Sequence, residues 1–404
     1  MGFSHLTRGV KCGLRLSNQT NATLALLNRS NFVRNLSVPA SAEDTSHWSN
    51  DLGTVRNDWT REEVADIFNT PLIELIYHAG TVHRMYNDPR QVQQCTLLSI
   101  KTGGCPEDCK YCAQSSKYSK EVGLKAEKLA DLDYVYHEAV KAAQAGSTRF
   151  CMGAAWRGPS QVGPRQFGRV LEMVTQIRAL GMEVCTTLGM LTPDQAKALR
   201  AAGLTAYNHN LDTSPEFYEK ITTTRKYEDR LETLKNVREA GISVCSGGII
   251  GLGEAEQDRV GLLHTLATLP EHPESVPVNA LVAVAGTPME GAAPPSGLEM
   301  ARCVATARIL MPQSVVRLSA GRLSLSVADQ AMCFMAGANS IFAGDKLLTT
   351  PNNDKDADSE MFEALGLTGR PPFIGYQSGG PSSDGSEFQP LGQMVEPRRR
   401  EVSA

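Results

Sequence analysis

Short apolar runs alternate with amphipathic stretches along most of the chain, beginning near Cys95. Each apolar run spans five to seven residues, and the stretches between them carry apolar residues at helical spacing. The pattern predicts strands at 95–100, 148–153, 183–188, 205–210, 242–247, 276–282, 314–319 and 340–344. It predicts helices at 125–144, 163–180, 193–202, 226–240, 256–269, 297–311 and 325–336.

This alternation predicts an α/β fold, a (β/α)8 barrel of the TIM type, because eight strands joined by helices can close into one barrel. Gly146, Gly181, Gly203 and Gly241 each follow a predicted helix and precede a strand, as C-terminal caps do. A doubly wound open sheet gives a similar pattern and stays open as the alternative. In a barrel, reactive groups lie at the carboxyl ends of the strands, so we expect the chemistry there.

The chain outside the barrel divides into three further segments. From Trp59 the pattern is helical and breaks before Pro71, a residue that suits a helix start. Past Gly375 the sequence is rich in Gly, Ser and Pro and aperiodic, which is typical of a disordered tail. The predicted organisation is a presequence at 1–42, an N-terminal helical segment at 43–90, the barrel at 91–370 and a disordered C-terminal tail at 371–404.

Composition removes several classes of protein. The 404 residues carry a formal charge of −4, which argues against a general nucleic-acid binder. No run approaches 18 consecutive apolar residues, so no membrane-spanning helix is predicted. Ten cysteines are too few for a disulfide scaffold in a chain of this length. Their positions therefore matter more than their number.

The first 42 residues are unlike the rest of the chain. They contain five basic residues and no acidic one, since the first carboxylate is Glu43. This composition is typical of a mitochondrial presequence, with a disordered tail as the plainer alternative. A location in the mitochondrial matrix would keep thiols reduced, which favours cysteines as metal ligands over disulfides.

Three cysteines follow the first predicted strand in the segment KTGGCPEDCKYCAQSS. Cys105, Cys109 and Cys112 have the spacing Cys-x3-Cys-x2-Cys on a glycine-rich loop, and the next cysteine along the chain is Cys151. A cubane cluster has four irons, so three thiolates leave one iron open to another ligand. Structural zinc, which closes all four positions with paired ligands, is the weaker interpretation.

A second set of cysteines lies inside predicted strands. Cys151, Cys185 and Cys245 are separated by about one and two β/α units, so they can point to a common centre inside a barrel. Buried single cysteines are usually packing residues, and this remains the alternative for each of them. Arg317 lies in another apolar strand and must meet an anion or act as a ligand, because a buried unpaired cation is costly.

The first cysteine motif, with Tyr111 before its last cysteine, resembles that of the radical S-adenosylmethionine enzymes. Within this superfamily the chain resembles the biotin synthase family, and the resemblance runs roughly from Trp59 to Leu367. The matching segments are LLSIKTGGCPEDCKYCAQSS, GSTRFCMGAAW, YNHNLDTSPEFY, SVCSGGIIGLGE, VRLSAGR and AMCFMAGANSIFAGDKLLTTPN.

The resemblance implies two clusters and a reaction. A [4Fe–4S] cluster on Cys105, Cys109 and Cys112 would bind S-adenosylmethionine at its open iron and yield a 5′-deoxyadenosyl radical. A [2Fe–2S] cluster would donate the sulfur inserted into dethiobiotin, the reaction of a sulfurtransferase. Its implied ligands, which count among the catalytic residues, are Cys151, Cys185, Cys245 and Arg317.

The same resemblance implies residues that contact the cofactor and the substrate. The implied contacts to S-adenosylmethionine are Tyr111, Gly153, Ala154, Asn210, Asp212, Arg230, Ile249 and Gly251. Asn210 and Asn279 are implied near the ureido ring of dethiobiotin. A surface ion pair remains the alternative for Arg230, and His209 is interpreted as structural. Cys95, Cys303 and Cys333 are assigned to packing, with Cys95 the least secure because it lies in the first strand.

The resemblance also implies partners: a ferredoxin- or flavodoxin-type electron donor, iron–sulfur assembly proteins and a second copy of the chain in a homodimer. Two rivals stay open. A hydrogenase-cluster maturase of the same barrel type would not need the second cysteine set, and an iron–sulfur electron carrier or zinc module would not need the polar residues at the strand ends.

Overall fold

The computed structural model describes Trp48 and residues 51–371. The predicted presequence at 1–42 lies outside the described residues, as does the predicted tail beyond residue 371. The strands are β1 (Gln91–Lys101), β2 (Arg149–Ala154), β3 (Glu183–Thr187), β4 (Ala206–Asn208), β5 (Ser243–Cys245), β6 (Gly248–Ile250), β7 (Ser275–Ala280), β8 (Val315–Leu318), β9 (Ser340–Phe342) and β10 (Thr368–Gly369).

Twelve α-helices accompany these strands in the described part of the chain. They are α1 (Arg61–Asn69), α2 (Leu72–Tyr86), α3 (Ser119–Val122), α4 (Leu132–Gln144), α5 (Pro164–Ala179), α6 (Pro193–Ala201), α7 (Pro215–Ile221), α8 (Tyr227–Glu239), α9 (Glu256–Ala267), α10 (Gly297–Leu310), α11 (Val327–Met335) and α12 (Lys355–Leu365). None of them is long and apolar enough to cross a membrane.

Eight parallel strands close into a barrel in the order β1-β2-β3-β4-β5-β7-β8-β9. The closure is direct, because β9 pairs with β1 through the register Gln93–Ser340. An open doubly wound sheet would leave two free edges here, so the predicted (β/α)8 barrel is confirmed. The short strand β6 continues from β5 after a break at Ser246 and pairs with β7, and β10 pairs with the amino end of β1.

Each predicted barrel strand is present, but several boundaries differ. The strand predicted at 205–210 ends at Asn208. The helix predicted at 125–144 begins only at Leu132, because the preceding segment runs beside β1, where the amide of Ala130 donates to the carbonyl of Ile100 at 2.7 Å. Helices α7 and α12 were not predicted. Helix α3 was not predicted either; α3 and α7 span four and seven residues, too few to show an apolar repeat, and α12 begins at a local cap, Asp354.

The two N-terminal helices belong to the same hydrophobic core as the barrel helices. A capping box between Thr60 and Glu63 starts α1, and its Val64, Ile67 and Phe68 are buried. The guanidinium of Arg302 in α10 donates to the carbonyl of Thr70 at 2.8 Å and so satisfies a group at the end of α1. The apolar face of α1 and this hydrogen bond therefore fasten the segment to the barrel.

His83 gives the fold a predictable sensitivity to acid. This side chain in α2 is 1% exposed, and neither ring nitrogen has a hydrogen-bond partner in the structure. Burial, aided by the charges of Arg308 and Arg84, lowers the pKa of His83 to about 2. The unfolded chain, with a pKa of about 6.5, therefore binds a proton that the folded chain excludes.

We expect the free energy of unfolding to fall by about 1.4 kcal/mol per pH unit from His83 alone, as the pH drops below about 6.5. Above that pH, His83 is neutral in both the folded and the unfolded chain and does not change the free energy of unfolding; the destabilisation develops only in acid. Urea denaturation of the His83→Leu variant at several pH values should show a shallower loss than the unsubstituted chain. The exposed His137, replaced by Gln, is the matched control. Equal pH slopes for the His83→Leu variant and the unsubstituted chain would contradict the prediction.

Candidate active site

One large cavity opens at the carboxyl ends of the barrel strands. Its volume is about 330 Å³. It brings together residues from both predicted cysteine sets and from the loops after the strands. Among the predicted site residues, those that line it are Cys105, Cys109, Tyr111, Cys112, Cys151, Gly153, Ala154, Cys185, Asn210, Asp212, Arg230, Ile249, Asn279 and Arg317. Cys245 and Gly251 do not line it.

The loop after β1 folds back on itself and presents three free thiols to the cavity. The amide of Cys105 donates to the carbonyl of Gln114 at 2.9 Å, and the amide of Cys112 donates to the carbonyl of Cys109 at 3.0 Å. Gly103 has a φ of +69°, and the Cβ of any other residue at this position would lie 3.0 Å from the carbonyl oxygen of Lys125. Glycine is therefore required at the entry to this loop.

Two acidic residues between the cysteines anchor the loop to the connection between α7 and α8. The backbone amide of Thr223 donates to Asp108 at 2.9 Å, and the hydroxyl of Thr224 donates to Glu107, which also forms an ion pair with Arg157 at 3.1 Å. Burial opposes ionisation of Asp108, but hydrogen bonds from Lys117, Thr223 and Thr224 outweigh it and lower its pKa. The loop is thus held by a carboxylate that stays ionised.

The chemistry of the three thiols fits a bound cation. Burial and the neighbouring Cys109 raise the pKa of Cys112 to about 12, and burial raises the pKa of Cys105. Three adjacent thiolates are therefore unfavourable unless positive charge lies among them. No group of three or more His, Cys, Asp or Glu side chains in the described ranges could hold a single metal ion. In an iron–sulfur cluster, by contrast, each thiolate binds a different iron.

Sequence reasoning missed Arg225, which points at this loop. Its Nη2 donates to the sulfur of Cys109 at 3.5 Å, and its Nε is buried without a hydrogen-bond partner. Arg225 follows three consecutive threonines in a short connection, where no periodic pattern marks a functional side chain. Only the tertiary contact between this connection and the cysteine loop identifies it.

The second cysteine set lies deeper in the barrel. Cys151 and Cys185 are register partners on β2 and β3, and Cys245 is the register partner of Asn208. Cys151 and Cys185 pack in one buried cluster, and the Nδ2 of Asn208 donates to the sulfur of Cys245 at 3.4 Å. All three thiols are buried and free. The barrel thus brings residues that are 34 and 60 positions apart in the sequence onto nearby strands.

Arg317 lies against these thiols as a buried cation. Its Nη1 donates to the sulfur of Cys245 at 3.7 Å, and its Nε donates to the hydroxyl of Ser340 at 3.0 Å. The hydrogen bond with Cys185 and the charge of Arg317 together lower the pKa of Cys245 to about 6, although burial opposes this. Cys151 lowers the pKa of Cys185, but Cys245 and burial together outweigh it and raise that pKa to about 12. The donor set is chemically suited to a thiolate-bound cluster.

Polar groups at the end of β4 lie between the two cysteine sets. The amide of Asn208 donates to the Oδ1 of Asn210 at 3.0 Å, and the hydroxyl of Tyr111 donates to Asp212 at 2.7 Å. Asp212 has a φ of +69°, so the chain is no longer extended there, yet its side chain still faces the cavity. His209 also lines the cavity and is 3% exposed, with its Nε2 unpartnered in the described structure.

Arg230 makes several contacts with protein groups. It forms a buried ion pair with Asp212, and its Nε donates to the hydroxyl of Tyr218 at 2.7 Å. Its Nη1 donates to the carbonyl of Asn210 at 2.5 Å. The surface ion pair left open as the alternative does not occur, because Arg230 is only 3% exposed.

Asn279 and Gly251 also have internal partners. The Nδ2 of Asn279 donates to the carbonyl of Gly248 at 2.9 Å, and its Oδ1 accepts from the amide of Ala320 at 3.2 Å. These bonds hold the amide group in one orientation and leave it one further N–H and one further lone pair. Gly251 has a φ of +100°, and its amide donates to Glu254 at 2.9 Å within a packed turn.

Comparison with known proteins agrees with this arrangement. Residues 99–266 match the Radical SAM superfamily, and residues 277–368 match the Biotin and Thiamin Synthesis associated domain. The chain is similar in fold to methylornithine synthase, with a TM-score of 0.66 and 17% identity over 80% of this chain and 97% of that one. It is likewise similar to a maturase of the [FeFe]-hydrogenase, with a TM-score of 0.67 and 18% identity over 81% of this chain and 76% of that one. At these identities the two structures show the fold alone.

Fold and site together define a radical S-adenosylmethionine enzyme. Curated relatives narrow the class. The mitochondrial biotin synthase of Arabidopsis thaliana is 62% identical over 318 residues, which cover 78% of this chain and 83% of that protein. The biotin synthase of Schizosaccharomyces pombe is 53% identical over 352 residues, or 86% of this chain and 96% of that protein. The chain belongs to the biotin synthase family.

Proposed function

We propose that this protein converts dethiobiotin to biotin by inserting sulfur, with S-adenosylmethionine as the source of the radical. One observation carries the proposal: two separate sets of three cysteines meet in the same barrel, with polar strand-end residues between them. Membership of the biotin synthase family supports it. The maturase-like rival would not need the second set, and an electron carrier would not need the polar residues.

We assign a [4Fe–4S] cluster to Cys105, Cys109 and Cys112 and a [2Fe–2S] cluster to Cys151, Cys185, Cys245 and Arg317. When bound, the first supplies the electron that cleaves S-adenosylmethionine, and the second supplies the sulfur. The hydrogen bonds of Gln114 and the anchoring of Asp108 hold the first loop in place. Such preorganisation keeps the thiols in place during the reaction.

The residues between the clusters would bind the two organic ligands. Asp212 and Asn210 are proposed to hold the adenosyl ribose, with Tyr111, Gly153, Ala154, Arg230, Ile249 and Gly251 around the rest of S-adenosylmethionine. Asn210 and Asn279 are proposed to bind the ureido ring of dethiobiotin. The free N–H and lone pair of Asn279 match the carbonyl and N–H groups of such a ring. The barrel walls exclude water and other hydrogen donors that would quench a carbon radical.

The reaction can be tested directly on the reconstituted protein. We expect anaerobic reconstitution to give Mössbauer signals of both cluster types. Incubation with dethiobiotin, S-adenosylmethionine and a reductant should then yield biotin and 5′-deoxyadenosine. A single cluster type would contradict the two-cluster assignment, and deoxyadenosine without biotin would favour the maturase-like rival.

We also propose the surroundings in which the protein works. The basic, acid-free composition of residues 1–42 and the mitochondrial Arabidopsis relative support a cleaved presequence and a matrix location. The proposed organisation remains a helical segment at 43–90, a barrel at 91–370 and a tail at 371–404. The proposed partners are a ferredoxin- or flavodoxin-type electron donor, iron–sulfur assembly proteins and a second copy of the chain.

Arg225 should tune the first cluster. We expect the Arg225→Gln variant to show a midpoint potential lower by on the order of 100 mV, because a nearby cation favours the reduced, more negative cluster. A shift in midpoint potential of this size is what one unit charge a few ångström from the cluster produces through an effective dielectric constant of about 20. An EPR-monitored redox titration measures the shift, and Arg225→Lys should lie between the two.

Arg169 offers a matched control for this titration. It lies on α5 and contacts Asp131 and the carbonyl of Ala130 rather than a cysteine. The Arg169→Gln variant should keep the potential of the unsubstituted protein. An unchanged potential in the Arg225→Gln variant would show that the contact with Cys109 has no electrostatic role.

A further inference from the structure

Cys95, which sequence reasoning assigned to packing, contacts the second cysteine set. It lies in β1 and is fully buried. It packs with Cys151 and Cys185 in one buried cluster, and the Nη2 of Arg317 donates to its sulfur at 3.4 Å. The thiol donates to the Oε1 of Gln93 at 3.5 Å, and the hydroxyl of Ser340 lies 3.8 Å from the sulfur. This thiol is therefore part of the same polar centre.

Four buried thiols lie on β1, β2, β3 and β5, and the first three of these strands are adjacent in the barrel. Cys95, Cys151 and Cys185 pack in one buried cluster, and Arg317 contacts the sulfurs of both Cys95 and Cys245. A [2Fe–2S] cluster takes four ligands, and four cysteines are its commonest complement. The chain thus carries a complete thiol donor set in addition to Arg317.

Arg317 contacts two of these four thiols. One of its terminal nitrogens donates to Cys245 and the other to Cys95. Its remaining contacts are with neutral groups, Ser340 and Gln93, and in the part of the chain described here it forms no ion pair with a carboxylate. The positive charge of Arg317 therefore faces cysteine sulfur. An iron atom close to the Arg317 guanidinium would also be close to the Cys95 sulfur.

We propose that Cys95 is an alternative fourth ligand of the second cluster and exchanges with Arg317. This inference rests on the proposed function, which places that cluster here. In the exchange an iron–nitrogen bond to the neutral guanidine breaks and an iron–sulfur bond to Cys95 forms. The proton of the thiol passes to the guanidine, and no electron is transferred. Arg317 then remains as a guanidinium that donates hydrogen bonds to cysteine sulfur.

The test compares cluster content in four variants after anaerobic reconstitution with iron and sulfide. We expect Arg317→Gln to retain a [2Fe–2S] Mössbauer signal close to that of the unsubstituted protein, because Cys95 takes the vacant position. The double variant Arg317→Gln/Cys95→Ala should hold at least about tenfold less of it. Cys95→Ala alone should retain the cluster through Arg317. The matched control Arg317→Gln/Cys333→Ala removes a buried cysteine of α11 and should behave like Arg317→Gln.

Each outcome decides the proposal. Equal [2Fe–2S] content in the Arg317→Gln variants with and without Cys95 would overturn it, as would loss of the cluster from Arg317→Gln while thermal unfolding shows a folded barrel. If the Arg317→Gln variant does not fold, the test uses a different measurement: the nitrogen hyperfine coupling of the reduced cluster in the Cys95→Ala variant. That coupling should be stronger than in the unsubstituted protein, and equal coupling would overturn the proposal. A [2Fe–2S] signal missing from the unsubstituted protein would instead contradict the proposed function.

Discussion

Replacement of Cys109 by alanine should abolish the [4Fe–4S] cluster and, with it, the formation of 5′-deoxyadenosine from S-adenosylmethionine. Cys109 is one of only three thiols on the loop after β1, and it is the one that accepts a hydrogen bond from Arg225. With two thiolates left, the cluster loses a third of its protein ligands. The measurement is cluster content by Mössbauer spectroscopy together with deoxyadenosine by chromatography.

The same variant should keep the second cluster, since Cys151, Cys185 and Cys245 lie on other strands deeper in the barrel. This selectivity separates loss of a ligand from general unfolding. Cys333→Ala, a buried cysteine of α11, is the control and should retain both clusters and full activity. Deoxyadenosine formation by the Cys109→Ala variant at the rate of the control would refute the assignment of the first cluster.

The second large effect is expected from the Asp212→Asn variant, which breaks the buried pair with Arg230. The two side chains are 3% and 4% exposed, so removal of one charge leaves the other buried and uncompensated. Breaking such a pair costs about 3–5 kcal/mol. Asparagine is the suitable replacement because Asp212 has a positive φ, which asparagine tolerates better than alanine does. Urea denaturation measures the loss, and we expect S-adenosylmethionine binding to weaken as well.

Glu183 supplies the matched control. It pairs with Arg149 at 2.6 Å, and both side chains are buried to a similar degree. The Glu183→Gln variant should therefore lose comparable stability while keeping its affinity for S-adenosylmethionine, because this pair does not line the cavity. If both variants bind S-adenosylmethionine as the unsubstituted protein does, Asp212 has a structural role only.

The barrel was predictable because its signals are local. Short apolar runs such as CTLLSI read as buried parallel strands, and the glycines after α4, α5, α6 and α8 mark helix ends that depend on a few neighbouring residues. The spacing of Cys105, Cys109 and Cys112 is also local, so their common loop was expected. Strand pairing then brings Cys151 and Cys185 together through a register that follows from the barrel itself.

The contacts that could not be predicted join segments distant in the sequence. Asp108 meets Thr223, 115 residues away, and Arg225 meets Cys109, 116 residues away. No period or motif encodes these distances, since they depend on how the connection between α7 and α8 folds over the loop. Cys95 was missed for a related reason. In the sequence it is one apolar residue of a strand, and only the closed barrel places Arg317 beside it.

The short strand β10 has a consequence for the solubility of the chain. β1 extends beyond the partner strands of the barrel at its amino end, and Gln91 and Val92 find their neighbour only in Thr368 and Gly369 among the described residues. The amide of Arg370 also donates to the carbonyl of Val92 at 2.9 Å. Without this cover, β1 would present unpaired amide and carbonyl groups to which the strand of another molecule could add. By pairing with the amino end of β1, these two residues near the end of the described chain thus protect it from intermolecular strand addition and aggregation.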